Sequence, residues 1–111
     1  MISKKKINQL EEIISYNFKN KKLLESALIH PSYKADNKKK TKKEIGDFER
    51  LEFLGDRVLG LIIASLLFNK YKNIDEGDLS KRYSYFVQKS FLYKISLELS
   101  IERILLYNYK K

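Results

Sequence analysis

The chain has 111 residues, 43% of them hydrophobic, and carries 23 basic against 14 acidic side chains, a formal net charge of +9. This length suits one modest domain, and the apolar content excludes global disorder. With no cysteine and a single histidine, disulfides, Cys-based zinc sites and Cys–His catalysis are excluded, so a bound metal would need oxygen ligands. The basic excess favours a polyanionic partner, nucleic acid first and an anionic membrane second.

The N-terminus and the most apolar run of the chain indicate a soluble protein. Met1 to Lys6 lead into an amphipathic segment with acidic residues, whereas a signal peptide would lead into an apolar one. The apolar run at 58–68 is too short to cross a bilayer and is flanked by Asp56 and Lys70. We therefore expect a cytoplasmic location and no membrane partner.

Two short helices are predicted first. Ser3 is placed to cap a helix with apolar side chains at helical spacing, and Asn20 is placed to cap a second one. Pro31 ends the second helix, because the residue before a proline resists helical geometry. That residue is His30, for which we favour a helix-end role, bonded to a nearby carbonyl or carboxylate, over a catalytic one.

A polar segment follows at 34–47, where five lysines fall within six residues. Like charges favour an extended, solvated loop. Two roles stay open for it: a loop that only aids solubility, or a loop that contacts phosphate groups without reading a base sequence. The candidate contact residues are Lys38, Lys39, Lys40, Lys42 and Lys43.

The longest predicted helix begins near Asp47 and ends near Tyr71. Its second half, at 58–68, is apolar nearly all round, which predicts burial deep in a core. A glycine inside a helix costs about 1 kcal/mol relative to alanine. The presence of Gly55 in this helix therefore predicts the close approach of another element.

The first half of this helix carries the candidate chemistry. Glu49, Glu52 and Asp56 are spaced three and then four residues apart, so their carboxylates lie on one face. Clustered carboxylates need a counter-charge, which a hard divalent cation supplies well. Arg50 and Arg57 lie beside them in the sequence, and we favour pairing of these arginines with the acids over contact with phosphate.

The rest of the chain is also predicted to be helical. An acidic turn at 73–78 follows the long helix, and Gly77 is expected to supply an unusual backbone angle there. Asp78 or Ser80 is predicted to cap a fourth helix, and a fifth follows. The aromatic residues at 83–93 favour core packing over stacking on single-stranded bases. No stretch alternates with period two for long, so the predicted fold is all-α, a single domain without repeats.

Residues 49–56 read Glu-Arg-Leu-Glu-Phe-Leu-Gly-Asp and are followed by Arg-Val-Leu. This run resembles the signature of ribonuclease III, the endonuclease of double-stranded RNA. Residues 27–33 resemble the family's segment before a variable loop, and residues 75–80 resemble its post-signature turn. The resemblance implies a helical ribonuclease III nuclease domain over residues 1–111, truncated at the C-terminus and without the double-stranded-RNA-binding domain that usually follows.

The resemblance also implies roles for individual residues. Glu52 and Asp56 match the family's metal-binding carboxylates, and Glu49 and Glu76 match acidic residues of its catalytic valley. Phe53 matches the aromatic residue that inserts into the partner subunit of a homodimer. The implied reaction is Mg²⁺-dependent hydrolysis of a phosphodiester in each strand of double-stranded RNA, with Mn²⁺ as a substitute ion, in rRNA and mRNA processing.

One part of the family's site has no match in this chain. The family carries a second acidic pair on a later helix, whereas Glu98 and Glu102 precede the point where that helix begins. We therefore expect this chain to cleave RNA poorly or not at all. The alternative function is a non-catalytic RNA-binding or ribosome-associated module with the same fold. In either case the five lysines between 38 and 43 are the candidate RNA contacts.

Overall fold

The computed structural model describes residues 2–33 and 41–108. Its helices in chain order are α1 (Lys4–Ile14), α2 (Lys21–Leu28), α3 (Lys42–Lys70), α4 (Glu76–Val87), α5 (Lys89–Glu98) and a 3₁₀ turn (Ile101–Arg103). Within these ranges there is no β-strand, and the only sheet-like feature is a single parallel bridge between Ile29 and Leu106. The predicted all-α class is confirmed.

The first two helices begin where the sequence predicts. The Ser3 hydroxyl oxygen accepts a hydrogen bond from the backbone N–H of Lys6 (3.2 Å). The Asn20 side-chain oxygen accepts one from the N–H of Leu23 (3.0 Å). Each bond satisfies a donor that the first turn of a helix otherwise leaves without a partner. Helix α2 ends at Leu28, three residues before the proline.

The start of α3 differs from the prediction. Helix α3 begins at Lys42, not near Asp47, because Thr41 caps it with the help of Glu44. The backbone N–H of Glu44 donates to the Thr41 hydroxyl oxygen (3.1 Å), and this hydroxyl donates to the Glu44 carboxylate (3.2 Å). Lys42 and Lys43 therefore lie in the first turn of a helix instead of in a loop. The helix has 29 residues and a length of about 44 Å.

Helix α4 also begins earlier than predicted. Its cap is Asp75, whose carboxylate accepts a hydrogen bond from the backbone N–H of Asp78 (2.9 Å). The prediction of Asp78 or Ser80 as the cap is wrong, because the carboxylate of Asp75 already satisfies the first turn. Gly77 lies inside that turn, and no glycine in the described ranges has a positive φ. The predicted unusual backbone angle at Gly77 is therefore also wrong.

The buried core lies where the two ends of the described chain meet. Its apolar side chains come from the N-terminal residues, α1, α2 and the C-terminal segment: Ile2, Ile7, Leu10, Leu24, Leu28 and Ile104. Backbone hydrogen bonds fix this junction, since the N–H of His30 donates to the Leu106 carbonyl (2.8 Å) and the N–H of Leu106 donates to the Leu28 carbonyl (3.0 Å). The C-terminal segment thus holds the end of α2 in place.

The second half of α3 lies outside this core. Only Gly60 and Leu67 of α3 are buried, while the side chains of Leu61 and Phe68 are 70% and 71% exposed. The predicted deep burial of 58–68 is wrong, because α3 packs on α2 and α4 along one side and the described chain leaves its other side uncovered. None of the described helices is long and apolar enough to span a membrane.

The molecule is elongated as a result. Its principal extents are 55 × 28 × 28 Å and its radius of gyration is 16.5 Å, against about 13 Å for a compact domain of this size. Its accessible surface is 9399 Å², whereas a compact monomer of this mass exposes about 6,400 Å². The excess surface is larger than the area of about 800 Å² that each partner contributes to a standard protein interface.

A buried carboxylate ties α1 to α2. Glu11 lies at the end of α1, and its carboxylate accepts hydrogen bonds from the Lys21 ammonium and from the backbone N–H of Phe18. The bond from Lys21, and next that from Phe18, hold the pKa of Glu11 below its ordinary value near 4.5, against the opposing effect of burial. The ionised form of Glu11 therefore stabilises the fold.

This pair predicts acid sensitivity. Because the pKa of Glu11 is lower in the folded than in the unfolded chain, its stabilisation is complete above the unfolded value and is lost as the pH falls through the folded value. We expect Glu11→Gln to lower the melting temperature at neutral pH and to flatten its decline below pH about 4.5. Melting curves followed by circular dichroism measure both effects. The control is Glu12→Gln on the exposed side of α1; an equal flattening in that variant would contradict the assignment to Glu11.

The close approach that the sequence predicts at Gly55 occurs instead at Gly60. A Cβ added at Gly55 would meet no atom of the described chain within 4 Å, so the prediction for Gly55 is wrong. A Cβ added at Gly60 would lie 2.6 Å from the hydroxyl oxygen of Tyr83 on α4. Gly60 is therefore the glycine of α3 at which α4 comes into close contact.

The glycine contact predicts a non-additive pair of substitutions. Gly60→Ala gains up to about 1 kcal/mol of helix propensity, but the new methyl group clashes with the Tyr83 hydroxyl and cancels this gain. In the Tyr83→Phe background the nearest ring carbon lies at an ordinary 3.7 Å, so Gly60→Ala is expected to stabilise by about 1 kcal/mol. Urea unfolding of the four variants measures the coupling. Gly55→Ala is the control and should stabilise equally in both backgrounds; a Gly60→Ala effect independent of Tyr83 would contradict the contact.

Candidate active site

The three signature carboxylates lie on one exposed side of α3. Glu49, Glu52 and Asp56 fall within a single continuous helix, so their spacing places them on successive turns of the same face, as predicted. All three side chains are exposed to solvent. Their mutual repulsion is therefore screened by water, and their oxygens are accessible to a cation or to a ligand.

The described residues offer a metal ion two neighbouring carboxylates on α3. No group of three or more His, Cys, Asp or Glu side chains that could hold a metal occurs within 2–33 and 41–108. Glu52 and Asp56, one turn apart, offer two carboxylates. Mg²⁺ keeps several water ligands and is commonly bound through one or two protein carboxylates. The donor chemistry of this pair thus fits a Mg²⁺ or Mn²⁺ ion, with the remaining ligands supplied from elsewhere.

The fourth predicted acid lies apart from the other three. Glu76 is the first residue of α4 and lines a groove of about 250 Å³ together with Ala64, Leu67 and Phe68 of α3. Asp56 precedes these three residues by eight or more positions, which corresponds to at least about 12 Å along the helix. The structure therefore does not bring Glu76 into one cluster with Glu52 and Asp56.

Arg57 makes the ion pair that the sequence favours. Its Nη1 atom lies 3.3 Å from a carboxylate oxygen of Asp56 and 3.5 Å from the backbone carbonyl oxygen of Phe53. The guanidinium carbon also lies 3.9 Å from the centre of the Phe53 ring, which is cation–π geometry. The pairing prediction is confirmed for Arg57, whereas Arg50 lines the groove beside Glu49.

His30 has the expected structural position at the end of α2. Its Nδ1 atom accepts a hydrogen bond from the backbone N–H of Ser32 (3.0 Å) and lies 2.7 Å from the Ser32 hydroxyl oxygen, so its partners are an amide and a hydroxyl instead of a carbonyl or carboxylate. The His30 ring also packs edge-on against Phe48, which precedes Glu49 on α3 (5.4 Å between ring centres). Sequence reasoning missed this contact, by which the segment after α2 supports the start of the acidic row at Glu49 on α3.

The side of α3 opposite the core carries a continuous apolar surface. We call it the α3 apolar face, and it comprises Phe53, Leu54, Val58, Leu61, Ile62, Leu66 and Phe68, all of them exposed. Leu54, Val58, Leu61, Ile62 and Leu66 are related by spacings of three and four residues, and Phe53 and Phe68 widen this strip at its two ends. Exposed apolar patches of this extent mark contact surfaces. The sequence signal for this surface is that α3 is apolar nearly all round at 58–68, whereas the other four α-helices are short.

A groove of about 800 Å³ adjoins this face. It lies between α2, which contributes Leu23 and Ser26, and α3, which contributes Glu49, Phe53 and others. Its lining is therefore mixed, with apolar side chains such as Leu23 and Phe53 beside the signature carboxylate of Glu49. The groove places the acidic side of α3 and the α3 apolar face within reach of one bound surface.

The remaining candidates divide into two groups. Lys42 and Lys43 are exposed in the first turn of α3, seven and six residues before Glu49. The candidate lysines at 38–40 lie outside the described residues. The aromatic rings of Tyr85, Phe86 and Phe91 pack against one another at the α4–α5 junction, with ring centres 5.1–5.3 Å apart. The rings contact one another, but the predicted core packing is wrong, because no residue of α4 or α5 is buried and Tyr85 and Tyr93 are 51% and 63% exposed.

The family of the chain follows from comparison with known proteins. The family model described as Ribonuclease-III-like matches residues 20–111. The chain therefore belongs to the ribonuclease III family, which confirms the family predicted from residues 49–56.

Individual relatives agree with this assignment. Ribonuclease 3 of Rickettsia bellii is 44% identical over 98 residues, which are 88% of this chain and 42% of the relative. Ribonuclease 3 of Rickettsia rickettsii is 43% identical over the same length. The chain thus spans about two fifths of the length of the curated relatives it matches.

A solved structure gives the corresponding likeness in three dimensions. The nuclease domain of ribonuclease III from Campylobacter jejuni, described for structural flexibility in a region involved in dimer formation, is 38% identical and superposes with a TM-score of 0.75. The match covers 92% of this chain and 65% of that one. The similarity extends over nearly all of the fold described above.

Proposed function

We propose that the protein is a divalent-metal-dependent endoribonuclease of the ribonuclease III type that cleaves double-stranded RNA. The observation that carries the proposal is the exposed row of Glu49, Glu52 and Asp56 on α3, in a chain of this family. In this proposal Glu52 and Asp56 hold Mg²⁺ or Mn²⁺, and Glu49 and Glu76 belong to the same catalytic valley. The cellular role is rRNA and mRNA processing in the cytoplasm.

Different residues of the chain have different roles in the proposed reaction. A bound divalent cation lowers the pKa of its water and neutralises charge that develops on the phosphate oxygens. Glu52 and Asp56 would hold that cation, and the Arg57 guanidinium lies 3.3 Å from one of the two carboxylate oxygens of Asp56. The net charge of +9 attracts the RNA backbone. Lys42 and Lys43, exposed in the first turn of α3, are the described candidates for phosphate contact.

The proposed assembly is a homodimer formed through the α3 apolar face. Phe53 is 61% exposed although it is a large aromatic side chain, and it lies at the end of the face nearest the acidic residues. The accessible surface exceeds that of a compact monomer by more than a standard interface requires. The related nuclease domain from Campylobacter jejuni has a region involved in dimer formation. These observations support a contact between two copies of α3.

A second candidate function is a non-catalytic RNA-binding or ribosome-associated module. The observation that favours it is that residues 2–33 and 41–108 contain no group of three potential metal ligands. A cation held by two carboxylates is held weakly. Cleavage and binding of RNA must therefore be measured separately.

Cleavage of a long RNA duplex tests the choice between the two functions. We expect slow cleavage that requires Mg²⁺ and falls by at least about 100-fold in Glu52→Gln and Asp56→Asn, since each removes a group that stabilises the charge of the transition state. The control is Glu98→Gln, an exposed carboxylate on α5. Duplex binding without any Mg²⁺-dependent cleavage would contradict the enzyme and favour the binding module. Rapid turnover would contradict the expected impairment.

Sedimentation equilibrium tests the proposed dimer. The change is Leu61→Glu, which places a charge at the centre of the α3 apolar face, where the leucine is 70% exposed. We expect the wild-type protein to sediment as a dimer and this variant as a folded monomer, because burial of an unpaired carboxylate opposes association. Tyr93→Glu on α5, a comparably exposed site, should leave the dimer intact. A monomeric wild type, or a dimeric Leu61→Glu variant, would contradict the proposed interface.

A further inference from the structure

One side chain joins the two surfaces of α3 described above. Arg57 lies one residue after Asp56 and one turn after Phe53. Its guanidinium group contacts the Asp56 carboxylate (3.3 Å), the Phe53 carbonyl oxygen (3.5 Å) and the face of the Phe53 ring (3.9 Å to the centre). The same cation therefore touches a proposed metal ligand and a proposed dimer contact.

The contact with Asp56 competes with a divalent cation. Arg57 Nη1 lies 3.3 Å from one of the two oxygens of this carboxylate, and its positive charge repels a second cation nearby. The ring of Phe53 holds the guanidinium in this position, because a cation over an aromatic face gains energy beyond that of the ion pair. Both members of the pair are largely exposed, so the competition is modest in size.

The contact between Arg57 and Phe53 depends on what else packs against the Phe53 ring. A protein surface that packs on the ring face must displace the guanidinium from it, since both cannot occupy the same face at 3.9 Å. Once displaced, Arg57 loses the group that holds it at Asp56. The carboxylate is then free for a metal ion.

We propose that Arg57 is a positioning residue that couples the two events: with Phe53 uncovered it occupies Asp56 and weakens cation binding, and with Phe53 covered by a partner surface it releases Asp56. This inference rests on the proposed metal site and dimer. Because such coupling is reciprocal, cation binding at Asp56 also favours association through Phe53. The coupling thus makes the proposed metal site bind its cation more tightly once the subunits have met.

Binding of Mn²⁺, followed by electron paramagnetic resonance of the free ion, tests the first half of the coupling. Measurements are made on the full chain at a concentration where sedimentation shows a monomer. Arg57→Gln should bind Mn²⁺ about fivefold more tightly than wild type, the upper range for one exposed charge pair. Arg57→Lys should retain the weak wild-type affinity, because it keeps the charge. Arg82→Gln is the matched control, since Arg82 lies over the ring of Tyr71 (4.3 Å), which caps the end of α3 fifteen residues after Asp56, and its loss changes net charge equally.

A double-substitution cycle tests the second half. Phe53→Leu removes the ring and should tighten Mn²⁺ binding about threefold when Arg57 is present, and should have no effect in the Arg57→Gln background. This dependence on Arg57 distinguishes coupling from a general structural effect of either substitution. Equal effects of Phe53→Leu in both backgrounds would overturn the proposal.

The remaining outcomes separate this proposal from the proposed function. Mn²⁺ binding that is lost in Glu52→Gln and Asp56→Asn but unchanged in Arg57→Gln overturns the coupling and leaves the metal site standing. Mn²⁺ binding that none of these substitutions changes overturns the metal site and the coupling together. An equal gain in Arg57→Gln and Arg82→Gln shows a net-charge effect and also overturns the coupling.

Discussion

The structure depends on one constraint, which is that α3 is apolar on more sides than the neighbouring helices cover. A helix of 29 residues packs on α2 and α4 along one side, with Gly60 and Leu67 buried there. The opposite side keeps the α3 apolar face in contact with water. Burial of apolar surface contributes about 25 cal/mol per Å², so leaving this face uncovered is a large loss for a small domain. Self-association is the response we propose.

The same helix places the chemistry beside that face. The carboxylates of Glu49, Glu52 and Asp56 and the ring of Phe53 lie within two turns, so a protein surface bound at one lies close to the other. A site built on a rigid helix keeps this register, whereas a site on a loop would not. Support comes from the end of α2, where the His30 ring packs on Phe48. The proposed metal site and the proposed dimer contact thus lie side by side on one helix, and Arg57 contacts a residue of each.

The sequence predicts the local features of the fold better than it predicts which surfaces are buried. Ser3 and Asn20 act as caps because their bonds reach only three residues along the chain. Thr41 caps α3 in the same way, but the lysines around it favour a loop, so the sequence does not reveal this cap. Periodicity identified 58–68 as apolar without showing what covers it, because burial depends on neighbours distant in sequence. For the same reason the sequence favours a close approach at Gly55, whereas the tyrosine that makes this approach lies against Gly60.

The central claim is that the α3 apolar face is covered by another protein surface in solution. Carbene footprinting with mass spectrometry tests it most directly, because it reports the accessibility of individual leucine side chains. In a single chain Leu61 is 70% exposed and Leu97 is 43% exposed, so an uncovered face would label Leu61 more heavily. A covered face gives the reverse order, with Leu61 protected and Leu97 labelled. Heavier labelling of Leu61 than of Leu97 would contradict it.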